Sequence, residues 1–80
     1  MQQHDFTHAA QLAVIAKAVI TPAEGGWHLC IYVHNLPEPK SLKTKDGNTR
    51  LFKTTDAAVN SCASAGLSHC IVEIRDDSRN

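Results

Sequence analysis

Thr21-Pro22-Ala23-Glu24-Gly25-Gly26-Trp27-His28-Leu29-Cys30-Ile31-Tyr32-Val33-His34 is the stretch that decides the fold. Its first half gathers one proline and a glycine pair, which mark a turn because proline fixes φ and glycine accepts left-handed backbone. Its second half carries the strongest strand signal in the chain. By the two-residue period of a strand, Trp27, Leu29, Ile31 and Val33 share one face and form the expected core side. His28, Cys30, Tyr32 and His34 share the other. Upstream, Val14, Ile15, Ala18 and Val19 suit a helix stripe, whereas Val19, Ile20 and Thr21 are β-branched and suit a strand. The adjoining turn decides for the strand, so residues 15–21 and 26–34 are expected to form a β-hairpin.

Beyond this hairpin, Pro37 and Pro39 remove two ladder donors and stop the second strand. Lys40–Lys45, the turn Asp46-Gly47-Asn48 and Thr49–Lys53 read as a second hairpin with short strands and a polar tip. Thr54 is a good N-cap for a helix over about residues 55–65, with Asp56 in the first turn and Gly66 as the stop. Val59, Cys62 and Ala63 are its expected buried stripe, with Leu67 closing the end. Cys70–Ile74 is the expected last strand, and residues 76–80 form a polar tail expected to fray. At the other end, residues 7–13 have helix propensity with Asp5 or Thr7 as N-cap, and residues 1–6 are expected to fray. The predicted fold is one α+β domain over residues 1–80. It holds an antiparallel sheet of about five strands (two hairpins and a final strand), with one main helix on a face and a short N-terminal helix.

The chain's 80 residues suffice for one domain with a thin core, since a domain of about this size buries only some 60% of its unfolded surface, and a deep substrate pocket is not expected. Eight Lys and Arg balance eight Asp and Glu, and 42% of residues are hydrophobic, which excludes an acidic disordered tail and a uniformly basic nucleic-acid coat. The most apolar window, residues 9–20, is interrupted by Lys17 and falls short of the ~20 residues a membrane crossing needs. An odd number of cysteines, and an opening without a basic and then apolar leader, give the expectation of a cytoplasmic, reduced protein.

The balanced charges are unevenly placed. Between positions 40 and 53, Lys40, Lys43, Lys45, Arg50 and Lys53 face a single acid, Asp46, so the segment carries +4 and the rest of the neutral chain −4. On a projecting ribbon such side chains suit a phosphate track or an acidic protein face. Lysines at a sheet edge also discourage strand-to-strand aggregation with no partner involved. Both readings stay open here. On the second face of the Trp27 strand, Tyr32 with His28 and His34 would form a small aromatic recognition patch if the first helix leaves that face bare, and a second buried layer if it does not.

Five histidines and three cysteines raise the question of zinc. No Cys-x-x-Cys occurs, and His69 and Cys70 point to opposite sides of their strand, so a ligand set would have to come from three separate elements; no metal and no cofactor is expected. Phosphate-binding glycine loops, Gly-x-Ser-x-Gly and His-Glu-x-x-His are missing, and His28 and Cys30, two apart on a strand, are not poised as a nucleophile and its base. The expectation is a protein that is not an enzyme.

The run Arg50-Leu51-Phe52-Lys53-Thr54-Thr55-Asp56-Ala57-Ala58, between a Gly-Gly-Trp hairpin and a glycine-stopped helix, resembles small plasmid accessory proteins of the partition-associated or stability type over about residues 18–75. The resemblance implies a non-enzymatic role beside plasmid maintenance, with binding to DNA or to a DNA-bound protein, and implies no catalytic residues. The same order of hairpin and helix is similar to three-stranded DNA-binding domains of the plant AP2 and phage integrase arm-binding type, whose sheet enters the major groove. Here His28, Cys30 and Tyr32 stand where arginines would be needed, which moves the expected contact to the ribbon of Lys40, Lys43, Lys45, Arg50 and Lys53. A small inhibitor of the anti-CRISPR type, blocking a nucleoprotein complex through Glu24, Glu38, Glu73, Asp76 and Asp77, is the alternative. Pairing of two copies through an exposed sheet edge is a further expectation.

Overall fold

A computed structural model describes residues 1–74. Its elements run α1 (Gln3–Gln11), β1 (Ile15–Ala23), β2 (Gly26–Val33), β3 (Lys40–Ser41), α2 (Thr55–Ala65) and β4 (Ile71–Val72). The fold is α+β, with two helices and one mixed four-stranded sheet in the order β3-β2-β1-β4. No helix among the described residues is long and apolar enough to cross a membrane.

The first hairpin forms as read from the sequence. β1 and β2 pair antiparallel from Ile15 opposite Val33 to Ala23 opposite Gly26. Gly25 takes the left-handed turn position at φ 81°. Gly26 serves a different need: a Cβ there would lie 2.2 Å from the Phe52 carbonyl oxygen, so only glycine lets the two backbones approach.

Alternation then sorts the faces. Ala18 and Ile20 of β1 and Leu29 and Ile31 of β2 are buried together with Leu42, Phe52, Phe6 from α1, and Ala58, Cys62 and Ala65 from α2. Burying each large member, such as Phe6, Leu29 or Leu42, contributes roughly 1.5–3 kcal/mol. Both helices feed this one core, so the face of β2 bearing His28, Cys30 and Tyr32 is not the helix-covered side. On α2 the buried set is Ala58, Ser61, Cys62 and Ala65, one step round from the expected stripe, and Val59 is exposed. Small residues on that face let α2 sit close to the sheet.

The sheet departs from expectation in two ways. The expected all-antiparallel sheet of about five strands is corrected by β4, which pairs parallel with β1 through Val19 opposite Ile71 and Ile20 opposite Val72. The cause is the α2 crossover. The leg ending at Phe52 runs antiparallel to β2, and a helix returns the chain to the end it left, so the next strand must run in the same sense. β1, also antiparallel to β2, shares that sense.

The second difference concerns the extent of the hairpin expected over residues 40–53, which forms around its polar tip. Its legs pair antiparallel only near the tip, and their outer residues divide one edge of β2 along its length. Lys40–Ser41 pairs with Ile31 and Cys30, whereas Phe52 bridges to Trp27. Between the legs Lys43 and Thr49 bridge antiparallel, with Arg50 N–H to Leu42 O at 2.9 Å on one side and Thr44 N–H to Asn48 O at 2.8 Å and Gly47 N–H to Thr44 O at 3.0 Å on the other.

The start of the chain is also held, where fraying was expected. α1 begins at Gln3 because the Gln2 backbone N–H donates to the Asp5 carboxylate at 3.2 Å, and Phe6 is fully buried. The expected fraying of residues 76–80 falls outside the described residues.

Candidate polyanion-binding site

The ribbon is set in place from below. Leu42 is fully buried at its root, with its N–H donating to Leu29 O at 2.9 Å, and Arg50 N–H donates to Leu42 O at 2.9 Å. Lys43 N–H donates to Met1 O at 2.7 Å, and the Met1 amino group donates to Ser41 O at 3.3 Å. Gln2 Nε2 spans the Thr44 and Lys45 carbonyl oxygens, 3.4 Å from each. The first residues of the chain thus bind the ribbon through its backbone, leaving the Lys43 and Lys45 side chains to solvent.

This junction creates an open cleft of about 420 Å³ lined by Gln2, Gln3, His4, Lys43, Thr44, Lys45 and Arg50. Three of the five predicted cations converge there. Lys40, on β3, and Lys53, past Phe52 on the approach to α2, are exposed but do not line it. The Arg50 guanidinium lies 4.9 Å from the centroid of the Phe52 ring, a cation–π contact that orients the side chain without using its charge in an ion pair. Among the described residues the one close contact of a carboxylate with a basic side chain is His4 Nε2 to Asp5 Oδ1 at 3.3 Å, so none of the five ribbon cations is paired with a carboxylate there.

Gln2, Gln3 and His4 belong to the cleft but not to the residues singled out from sequence. Their signal lies 40 positions from the ribbon and shows only once α1 is capped at residue 2.

The aromatic patch is partly assembled. Tyr32 and His28 are half-buried on the face without helices, but His34 lies past the end of β2 and is exposed. Lys17, directly across on β1, holds its Nζ 4.6 Å from the Tyr32 centroid. This cation already occupies the neighbourhood of the ring, which disfavours the ring as a free stacking platform.

The cysteines sit apart from the ribbon. Cys30 is half-buried on β2, Cys62 is buried on α2, and Cys70 is half-buried before β4. Burial, with the Cys70 thiol beside it, pushes the Cys62 thiol up to about 12. Among the described residues no three His, Cys, Asp or Glu side chains cluster as a metal site. β4 is an edge of the sheet, with Ile71, Val72 and Ile74 exposed. No protein-family model, curated protein or solved structure matches the chain.

Proposed function

We propose that this chain is a cytoplasmic, non-enzymatic DNA-binding accessory module, and that Lys43, Lys45 and Arg50 on the ribbon are its phosphate contacts. The observation that carries this reading is the convergence of three exposed cations on one cleft with no carboxylate partner among the described residues. Cations that only protect an edge from aggregation need not converge. Each phosphate neutralised releases condensed counterions, which supplies sequence-independent affinity and holds the module in register on the backbone. Arg50, forked and steadied by Phe52, suits a phosphate better than a mobile lysine does. The likeness of residues 50–58 to plasmid partition and stability proteins supports a setting beside plasmid maintenance, where Lys40 and Lys53 extend the positive field along the approach.

Fluorescence anisotropy with labelled duplex and single-stranded DNA at about 50 mM salt tests this, because phosphate binding is strongest there. Charge reversal at Lys43, Lys45 and Arg50 is expected to abolish binding, and reversal at Glu24, Glu38 and Glu73 to leave it intact or strengthen it. No binding by the wild-type protein at that salt overturns the DNA reading. A protein partner lost on reversal of the acidic residues would favour the inhibitor reading instead.

A further inference from the structure

The end of α2 folds back on itself. Gly66, at φ 101°, stops the helix, its N–H donating to Ala63 O at 3.0 Å, and Leu67 N–H reaches Cys62 O at 3.1 Å. Leu67 then packs into the core, and Cys70, four residues past the stop, packs against the same core from the start of β4. This turn sets the Cys70 side chain beside that of Cys62 against one core. On its other side Cys70 borders a cavity of about 150 Å³ with Ile15, Lys17, Leu67, His69 and Ile71. A water or a hydrogen peroxide molecule needs far less room than that. Cys30, on the helix-free face of β2, does not line this cavity.

We propose that Cys62 and Cys70 are a redox pair, converted by a peroxide entering this cavity into an intramolecular disulfide that pins β4 to α2. Cys70, as thiolate, attacks one oxygen of hydrogen peroxide; the O–O bond breaks, hydroxide leaves and a sulfenic acid forms. The Cys62 sulfur then attacks the Cys70 sulfur, the S–O bond breaks, and the oxygen departs as water carrying the Cys62 proton. In sum two thiols lose two protons and two electrons, and peroxide becomes two waters. Access fixes the order. Cys70 meets the cavity, whereas Cys62 is 2% exposed and burial raises its thiol pKa, which makes it the slower of the two to meet peroxide. The product closes the short loop over residues 62–70 and secures a two-residue edge strand otherwise held by its pairing with β1 and by Glu73 N–H to Ile20 O at 2.9 Å.

The test exposes reduced, full-length protein to hydrogen peroxide, removes the peroxide, denatures and labels with N-ethylmaleimide, and maps the thiols by mass spectrometry. The expected result is a single label on Cys30, a 62–70 disulfide reversed by dithiothreitol, and a Tm raised by roughly 10 °C. Cys30→Ser is expected to oxidise like the wild type, and Cys70→Ser to leave both remaining thiols labelled. Three labelled thiols after peroxide, oxidation halted at a Cys70 sulfinic acid with Cys62 labelled, or a disulfide that includes Cys30 would each overturn the proposal.

Discussion

Replacing Gly26 with alanine strikes the point where the ribbon joins the sheet. The added Cβ would lie 2.2 Å from the Phe52 carbonyl oxygen and 3.1 Å from its carbonyl carbon. An ordinary carbon–oxygen contact is about 3.3 Å, so the Phe52 backbone must withdraw by about 1 Å. That withdrawal would lengthen Trp27 N–H to Phe52 O and Phe52 N–H to Trp27 O, both now 2.8 Å, beyond useful hydrogen-bond range. Two lost bonds cost about 2 kcal/mol together, and partial unpacking of the Phe52 ring, 3% exposed, adds about 1 more. The expected loss is therefore about 3 kcal/mol in urea denaturation, with the Trp27 and Phe52 amides exchanging faster in hydrogen-exchange measurements. A G26A protein within about 0.5 kcal/mol of the wild type would refute the reasoning, since that is how a surface change behaves.

Other consequences follow from burial, capping and ionisation. Leu42→Ala removes a fully buried side chain under the ribbon and is expected to cost about 2–5 kcal/mol by chemical denaturation, whereas a free-standing finger would lose less than about 1. Thr54→Ala deletes the hydroxyl that accepts the Ala57 N–H at 3.1 Å, and thermal melts should register a loss of about 1 kcal/mol. Cys62 titrates near 9 in the unfolded chain and near 12 in the fold, so from pH 9 to 12 the folded state holds more protons and its stability falls as pH rises. The slope should be on the order of 1 kcal/mol per pH unit steeper than in Cys62→Ala, and parallel wild-type and variant curves would contradict this assignment.

Sequence alone made the first hairpin and α2 legible because their signals are local. Gly25 and Gly26 mark the turn, the alternation from Trp27 marks the faces, and Thr54 and Gly66 bracket the helix. α1 starts ahead of the expected residue 7 because its N-cap is Gln2, a residue type with no marked preference for caps, whose N–H is taken by Asp5. The direction of β4 was not readable, since a two-residue strand carries no mark of parallel pairing and the crossover that dictates it spans the molecule. The site divides in the same way. Its cations are plain in the sequence, but which of the five converge depends on Met1 and Gln2 binding the ribbon backbone some forty positions away.

The salt dependence of DNA affinity tests the central claim most directly. With three phosphate contacts from Lys43, Lys45 and Arg50, log K against log salt concentration for duplex DNA should fall with a slope of about −2.7. The triple alanine variant should lose nearly all of that slope while keeping its folding stability within about 0.5 kcal/mol of the wild type. A wild-type affinity that does not change with salt, or a triple variant with the wild-type slope, would contradict it.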